Sequence, residues 1–313
     1  MSIQIISPGA LTTVQDYGRV GFCEIGFSPS GAVDTRSMEL ANILVGNEMG
    51  EAVLECTIIG PTIYFTRDNV IAVTGAYMAP RIDGREIPMN RAVTVKTGET
   101  LSLGTAETGC RTYIAFAGGL AIKKCFGSKS TDIKCGIGGV NGRPIKAGDE
   151  IEFANPVSYL KGMEKRVHRQ MEAVALPKTI RVIMGPQDDY FTEEGIKTFL
   201  SSPYKLTNDS NRMACKLSGP VIASKKTTDI ISDGISLGSI QVSINGQPIV
   251  MLSDRQTTGG YAKIATVISA DIPNIAQCKP GDSLLFQSVS LETAHKLYKQ
   301  RVKSMKKLQQ KMR

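Results

Sequence analysis

Short apolar runs separated by polar turns recur through the first half of the chain. Ile3-Gln4-Ile5-Ile6, Thr62-Ile63-Tyr64-Phe65, Val70-Ile71-Ala72-Val73, Ala92-Val93-Thr94-Val95 and Tyr113-Ile114-Ala115-Phe116 are β-branched or aromatic runs. Gly- and Asp-bearing turns such as Asp83-Gly84 separate them. That is the pattern of strands joined by tight turns. One stretch changes period: Met38, Leu40, Ala41 and Leu44 share a helical face, predicting a helix over Asp34–Leu44 with Asp34 as its cap.

The same pattern then returns. Ile3–Ile6 parallels Ile180–Ile183, and Ile59-Gly60-Pro61-Thr62-Ile63 parallels Ser218-Gly219-Pro220-Val221-Ile222. Ile82–Met89 parallels Ile244–Met251, and Gly98–Leu103 parallels Gly281–Phe286, in the same order. Two copies of one β-rich unit account for this. Many short strands leave many open edges, which closure removes, so two small closed or nearly closed barrels are expected. The joint falls at residues 154–179, where Pro156 and Pro177 bracket a polar middle, Gly162–Gln170, read as a short solvated helix or linker. The expected division is 1–155, a linker 156–178, 179–294, and a terminal segment 295–313.

Composition narrows the class. Hydrophobic residues make up 42 % and charged residues 21 %, enough to build a core and to exclude bulk disorder. The seven cysteines are scattered without a CxxC pair and read as small buried hydrophobes in a reducing, cytoplasmic setting. Two histidines, His168 and His295, both expected in helices, are too few for a His-rich metal centre, and no metal is expected. The formal charge of +8 suggests nucleic acid until it is located. Eight basic residues and no acidic one lie between Lys296 and Arg313, leaving twenty-nine of each sign in the first 295 positions. Nucleic-acid binding therefore finds no basic face on the body. Leu297, Val302, Met305, Leu308 and Met312 recur at helical spacing among those charges. They predict a partly frayed basic amphipathic helix, either solvated or docked on an acidic partner protein.

Three segments carry more polar groups and glycines than turns need. Gln15-Asp16-Tyr17-Gly18-Arg19 to Ser30-Gly31-Ala32-Val33-Asp34 places two carboxylates, a guanidinium and hydroxyls before a helix N-terminus, which favours anions; a cap at Asp34 and an Asp16–Arg19 ion pair are the plain alternative. Gly127-Ser128-Lys129-Ser130-Thr131 and Gly136–Gly139 resemble a phosphate cradle but lack the GxxxxGK[ST] spacing. Ser232-Asp233-Gly234, Gln241 and Ser253-Asp254-Arg255-Gln256-Thr257-Thr258-Gly259-Gly260-Tyr261 mark a polar cleft, since such groups are costly to bury unsatisfied. The alternative there is a hairpin braced by Asp254–Arg255 contacts.

These motifs, with Ala41-Asn42, Gly46-Asn47, Leu54-Glu55, Gly185-Pro186-Gln187 and Arg212-Met213, resemble the allophanate hydrolase subunit 2 family, also called biotin-dependent carboxyltransferase-like proteins. The resemblance runs from about Ile3 to Glu292. It implies a mainly β chain with two cyclophilin-like β-barrel domains in tandem, a few short helices and the basic C-terminal helix beyond them. Family members include the third, or C, subunit of prokaryotic 5-oxoprolinase, an enzyme that uses ATP to open 5-oxo-L-proline to L-glutamate. They work beside a subunit 1-like protein and a lactam-hydrolase-type protein, so ATP is expected at the assembled complex.

In that reading Asp254, Tyr261 and Asp16 are the catalytic candidates. Arg19, Ser30, Asp34, Gln241, Thr257, Thr258, Gly259, Gly260 and Arg212 are the substrate-binding candidates, with Asp16 and Arg19 closing the cleft from the first barrel. The resemblance also implies two alternatives: a carboxyltransferase using carboxybiotin on urea or a related amide, and a non-catalytic antagonist of a subunit 1-like kinase inhibitor. The chain departs from the family pattern at Ala214 (usually glycine), Lys216 (usually arginine), Ser239 (usually alanine) and Ala262 (usually proline).

Overall fold

The computed structural model describes residues 1–168 and 178–312. The chain divides into two compact units. The first comprises Met1–Val20, Ser30–Ala173 and Ser304–Arg313, and the second Gly21–Pro29 and Val174–Lys303. The protein is mainly β, with four α-helices among the described residues.

The first unit is two sheets facing each other. One is six-stranded: β1 (Ser2–Ser7), β4 (Thr62–Phe65), β6 (Arg81–Ile82), β7 (Arg85–Glu86), β9 (Thr100–Ser102) and β11 (Glu150–Glu152), in the order β11-β1-β4-β9-β6-β7. The other runs β2-β3-β10-β5-β8, from β2 (Leu11–Gln15), β3 (Val53–Thr57), β5 (Asn69–Tyr77), β8 (Ala92–Val95) and β10 (Thr108–Phe116). Ile3, Ile5, Ile63, Phe65 and Leu101 of the first sheet pack on Val14, Leu54, Ile71, Val73 and Ile114 of the second. Phe65, Phe116 and Phe153 close that core with ring centroids 5.9–6.3 Å apart.

The five-stranded sheet is buried on its other face too, which is why Val70–Val73 of β5 and Tyr113–Phe116 of β10 are apolar at successive positions. Helix α1 (Thr35–Leu44) lays Met38, Leu40, Ala41 and Leu44 there against Val53, Val70, Ala72, Tyr113 and Ala115. Arg166 is buried rather than solvated. It donates to the carbonyls of Ile43 and Leu44, which satisfies a helix C-terminus with a cation. Of Gly162–Gln170, read as a short helix or linker, the described part holds a 3-10 turn at Met163–Lys165, and His168 follows it in irregular chain, not in a helix. The rest of that linker, residues 169–177, lies outside the described residues.

The second unit closes. Its strands are β12 (Lys178–Met184), β13 (Tyr204–Leu206), β14 (Ala214–Ser218), β16 (Ser239–Val242), β17 (Pro248–Met251), β19 (Lys263–Val267) and β20 (Ser283–Ser288), joined as a barrel β12-β19-β16-β17-β14-β13-β20. The parallel β12–β20 pair makes the closure. Helix α2 (Glu193–Ser201) contributes Phe199, which stacks on Phe286 at 4.7 Å, and α3 (Ile272–Ala276) follows β19. A separate ribbon pairs β15 (Asp229–Gly234) with β18 (Thr258–Tyr261).

The repeat seen in sequence falls on matching elements at β1 and β12, and at β9 and β20. The β6–β7 and β16–β17 hairpins match as well. It fails at Val221-Ile222, which follow the end of β14 rather than forming a strand like β4. There the Gln247 amide pairs with both the N–H and the carbonyl of Gly219. The last helix, α4 (Leu291–Met312), is continuous to Met312 rather than frayed. Met305, Leu308 and Met312 pack against the α1 side of the first unit's core.

Four cysteines are buried, and burial pushes the Cys56 thiol up to about 12. Cys23 and Cys135 are exposed, against expectation: Cys23 opens a 3-10 turn of helix, Cys23–Ile25, that buries none of its residues, and Cys135 sits in a turn. No described helix is long and apolar enough to cross a membrane.

One glycine makes a sharp test of this packing. Gly118 has φ +78°, and a Cβ there would overlap the Asn155 carbonyl. Its N–H donates to Asn47 Oδ1, and the Asn47 amide donates to the Phe116 carbonyl. Gly118→Ala should lower stability by more than about 2 kcal/mol, read as a urea midpoint shift, because both strain and a brace are involved.

Candidate functional site

In the first unit, Asp16 follows β2 directly. Its carboxylate accepts hydrogen bonds from Gly18 N (2.7 Å), Ser128 Oγ (2.6 Å), Lys129 N (2.6 Å) and Ser130 Oγ (2.5 Å). The Gly127–Thr131 loop is thus an anion cradle whose anion is the protein's own carboxylate. Ser128 Oγ, Lys129 N and Ser130 Oγ are thereby committed to Asp16, and a phosphate would have to displace that carboxylate.

Arg19 is 1 % exposed and bonds the Ser130 carbonyl; its Nε and Nη1 meet no acceptor among the described residues. Asp34 is the α1 cap, accepting from Ser37 N (2.9 Å) and Ser37 Oγ (2.6 Å). Ser30 is buried at φ +53°, on the turn that brings Gly31 N to Gln15 Oε1 (3.1 Å). Glu55 accepts from Val33 N (2.9 Å) and the Tyr113 hydroxyl (2.7 Å), with Arg111 at 4.0 Å. Burial first, then Glu55 and Asp34, hold the Tyr113 phenol well above its ordinary pKa, so it stays a neutral donor.

In the second unit, Asp254 is clasped by Arg212 through two parallel bonds, Nε–Oδ2 at 2.9 Å and Nη2–Oδ1 at 3.0 Å. Arg255 points elsewhere, donating to the carbonyls of Ile235 and Leu252. The bidentate pair fixes the turn ahead of β18. Thr257 leads into β18, which Thr258 begins, and Gly259 admits Gln241, since a Cβ there would lie 2.8 Å from Gln241 Nε2. Gln241 Nε2 donates to the Tyr261 carbonyl at 3.3 Å. Gly260 is half-buried beside Ile230 and Ser232.

Sequence reasoning overlooked the residue with the most chemical capacity here, Lys263. It starts β19 opposite Gln241, and its side chain is 3 % exposed, whereas that of its partner Asp233 is 56 % exposed. Asp233 Oδ2 accepts from Lys263 Nζ (2.8 Å) and from Gln187 Nε2 (3.3 Å). Gln187 also exchanges backbone and amide bonds with Lys263 at 3.0 Å each. The hydrogen bond from Lys263, then that from Gly234 N, holds the Asp233 carboxyl below the usual carboxylate range. The sign is that of a depressed acid: the pair is intact at neutral pH and is lost only as pH falls through that lowered value.

The signal was a lysine inside an otherwise apolar strand, Ala262-Lys263-Ile264-Ala265. A buried ammonium with one carboxylate partner retains two donor protons. With two carboxamides alongside, the set can hold a carbonyl oxygen and stabilise charge developing on it. Two departures from the family pattern are accommodated. Ala262 N donates to the Thr228 carbonyl at 2.8 Å, which a proline could not do, and Ser239 Oγ pairs with Ser236 Oγ at 2.9 Å. Lys216 is exposed.

Residues 25–288 match the family model described as "Carboxyltransferase domain, subdomain A and B". The chain belongs to this carboxyltransferase domain family. It is 39 % identical to the 5-oxoprolinase C subunit of Escherichia coli, over 94 % of this chain and 93 % of that protein. It is 35 % identical to the urea amidolyase of Saccharomyces cerevisiae, over 95 % of this chain but only 17 % of that protein. The solved urea amidolyase of K. lactis superposes with TM-score 0.89 at 31 % identity, over 98 % of this chain and 20 % of that one. The carboxyltransferase fold thus occurs both as a separate subunit and as a fraction of longer enzymes, and this chain matches both kinds along nearly its whole length.

Proposed function

We propose that this chain is the C subunit of an ATP-dependent 5-oxoprolinase that opens 5-oxo-L-proline to L-glutamate in the cytoplasm. The observation that carries this reading is the 39 % identity to a 5-oxoprolinase C subunit, over 94 % of this chain and 93 % of that protein. The partners are a subunit 1-like protein and a lactam-hydrolase-type protein, and ATP acts at the assembled complex.

An amide carbonyl resists attack because it is resonance-stabilised. Transfer of the γ-phosphoryl group to the lactam oxygen, with release of ADP, would make the ring carbon accept water. The C–N bond then opens and phosphate leaves. In this chain Lys263 donates to the oxygen as charge develops there, Asp233 and Gln187 fix the ammonium, and Gln241 orients the ring amide. Arg212, Asp254, Thr257, Thr258, Gly259 and Gly260 shape the turn and strand that face the substrate, and Tyr261 supplies a hydroxyl.

A second reading, carboxyl transfer from carboxybiotin, is favoured by the TM-score of 0.89 to a urea amidolyase. The ammonium and two carboxamides suit a ureido carbonyl as well as a lactam, so the residues present fit that group too. When bound, carboxybiotin would supply an activated carboxyl group.

Purified chain and its two partner proteins are incubated with ATP and 5-oxo-L-proline, and in parallel with biotin, urea and bicarbonate. ATP-dependent glutamate release supports the proposal. Biotin binding without glutamate release would replace it with the second reading, and a tight complex without turnover would point to the antagonist.

A further inference from the structure

Lys263 and Gln241, the two side chains that would meet the substrate carbonyl, are both covered: the lysine side chain is 3 % exposed and Gln241 is 5 % exposed. The β15–β18 ribbon lies on them. Asp233 of β15 holds the ammonium at 2.8 Å, while Gly259 of β18 rests against the Gln241 carboxamide, which donates to the Tyr261 carbonyl. An oxygen stabilised by such donors must come within about 2.7–3.1 Å of them. The covering ribbon closes that approach.

That cover is lightly held. No residue of β15 or β18 is buried, and the two strands pair only with each other. Between the Asp229–Tyr261 and Asp233–Gly259 pairs, Ile230, Ile231 and Ser232 bulge opposite Gly260 alone, and Ile231 is 94 % exposed. A two-stranded ribbon without a core is at best marginally stable, and the elements that move in proteins come from such low-stability segments. One end runs straight into β19, where Ala262 donates to the Thr228 carbonyl at 2.8 Å and accepts from Val242 N of β16 at 3.1 Å. At the other end the apolar pin is Ile235, packed with Ala214 of β14 and Met251 of β17. Between the ends the ties are side chains, Asp233 to Lys263 and Gln187, and Gln241 to the Tyr261 carbonyl. We infer that the ribbon is a gate: it lifts about its Thr228–Ala262 end to admit a carbonyl compound to Lys263 and Gln241, then recloses so that Asp233 again holds the ammonium. Reclosure removes bulk water from around the reacting oxygen, which strengthens the hydrogen bonds made to it. The proposal rests on the 5-oxoprolinase reading for its guest, a lactam, and on burial and pairing for the movement.

The full chain is pulsed with acetic anhydride, without urea and at about 1 M urea, below its unfolding transition. Peptide mass spectrometry then reads acetylation of Lys263 against exposed Lys216. Lys263 should react at least about tenfold more slowly than Lys216, at a rate that urea hardly changes, because a local opening exposes little surface whereas global unfolding exposes much. Ile235→Ala, which removes the pin, should speed the Lys263 reaction about fivefold or more, while Ile231→Ala should leave it unchanged. If Ile235→Ala does not fold, the urea dependence of the parent chain decides. Glutamate release by the chain with its two partner proteins is followed in parallel. Acetylation of Lys263 that rises with urea in step with unfolding, or that matches Lys216 from the start, would overturn the gate even if glutamate is released. Slow, urea-independent acetylation without glutamate release would uphold the gate and remove the lactam as its guest.

Discussion

Lys263→Met should lower the kcat of the assembled enzyme by about 10²- to 10³-fold, the loss expected when one preorganised donor to a developing oxyanion is removed, while leaving the fold intact. The reason lies in the asymmetry of its ion pair. The lysine side chain is 3 % exposed and its partner Asp233 is 56 % exposed. Methionine fills similar space, and the carboxylate left behind remains solvated, so the desolvation cost of the buried ammonium disappears. The opposite deletion should behave differently. Asp233→Asn leaves a buried cation without its counter-charge, which is costly, so it should lower both the thermal midpoint and activity. Measured side by side, the two variants separate a chemical role for Lys263 from a scaffolding one. If Lys263→Met unfolds the chain, or turns over like the parent, the chemical role is wrong.

The second large effect belongs to Asp16. Its carboxylate receives two backbone N–H and two hydroxyl hydrogen bonds, three of them from the Ser128–Ser130 loop. Hydrogen bonds to a charged acceptor contribute about 1.5–3 kcal/mol each, and stranded buried donors add to the loss. Asp16→Ala should therefore cost about 4 kcal/mol or more of stability, seen as a large drop in the urea midpoint. A parent-like midpoint combined with lost glutamate release would instead make Asp16 a proton-transfer group, as its place in the sequence motif suggested.

These contrasts show what the sequence could and could not reveal. Strand positions and the helix at Thr35–Leu44 with its Asp34 cap followed from periodicity and turn chemistry, because those depend on neighbours in the chain, whereas closure was expected of both units from their many strand edges and is complete in the second. Polar motif residues were harder to read, because a buried carboxylate that braces a loop and one that moves a proton have the same local sequence. Asn42 and Asn47 brace the Met49–Glu51 turn and the end of β10. Glu55 anchors Val33 and Tyr113, and Asp254 is tied to Arg212. Lys263 escaped notice for the opposite reason. It sits in no polar cluster along the chain, and only the β16–β19 register and the β15 ribbon bring Gln241, Asp233 and Gln187 to it. Short-range pattern finds clusters in sequence, whereas this cluster is assembled by pairing between distant strands.

The deciding measurement is glutamate released from 5-oxo-L-proline by the two partner proteins with ATP, under three conditions: without this chain, with it, and with Lys263→Met. Release is expected only with the parent chain, and near-background release with the variant although it joins the complex. Full release without the chain, or with the variant, would contradict it.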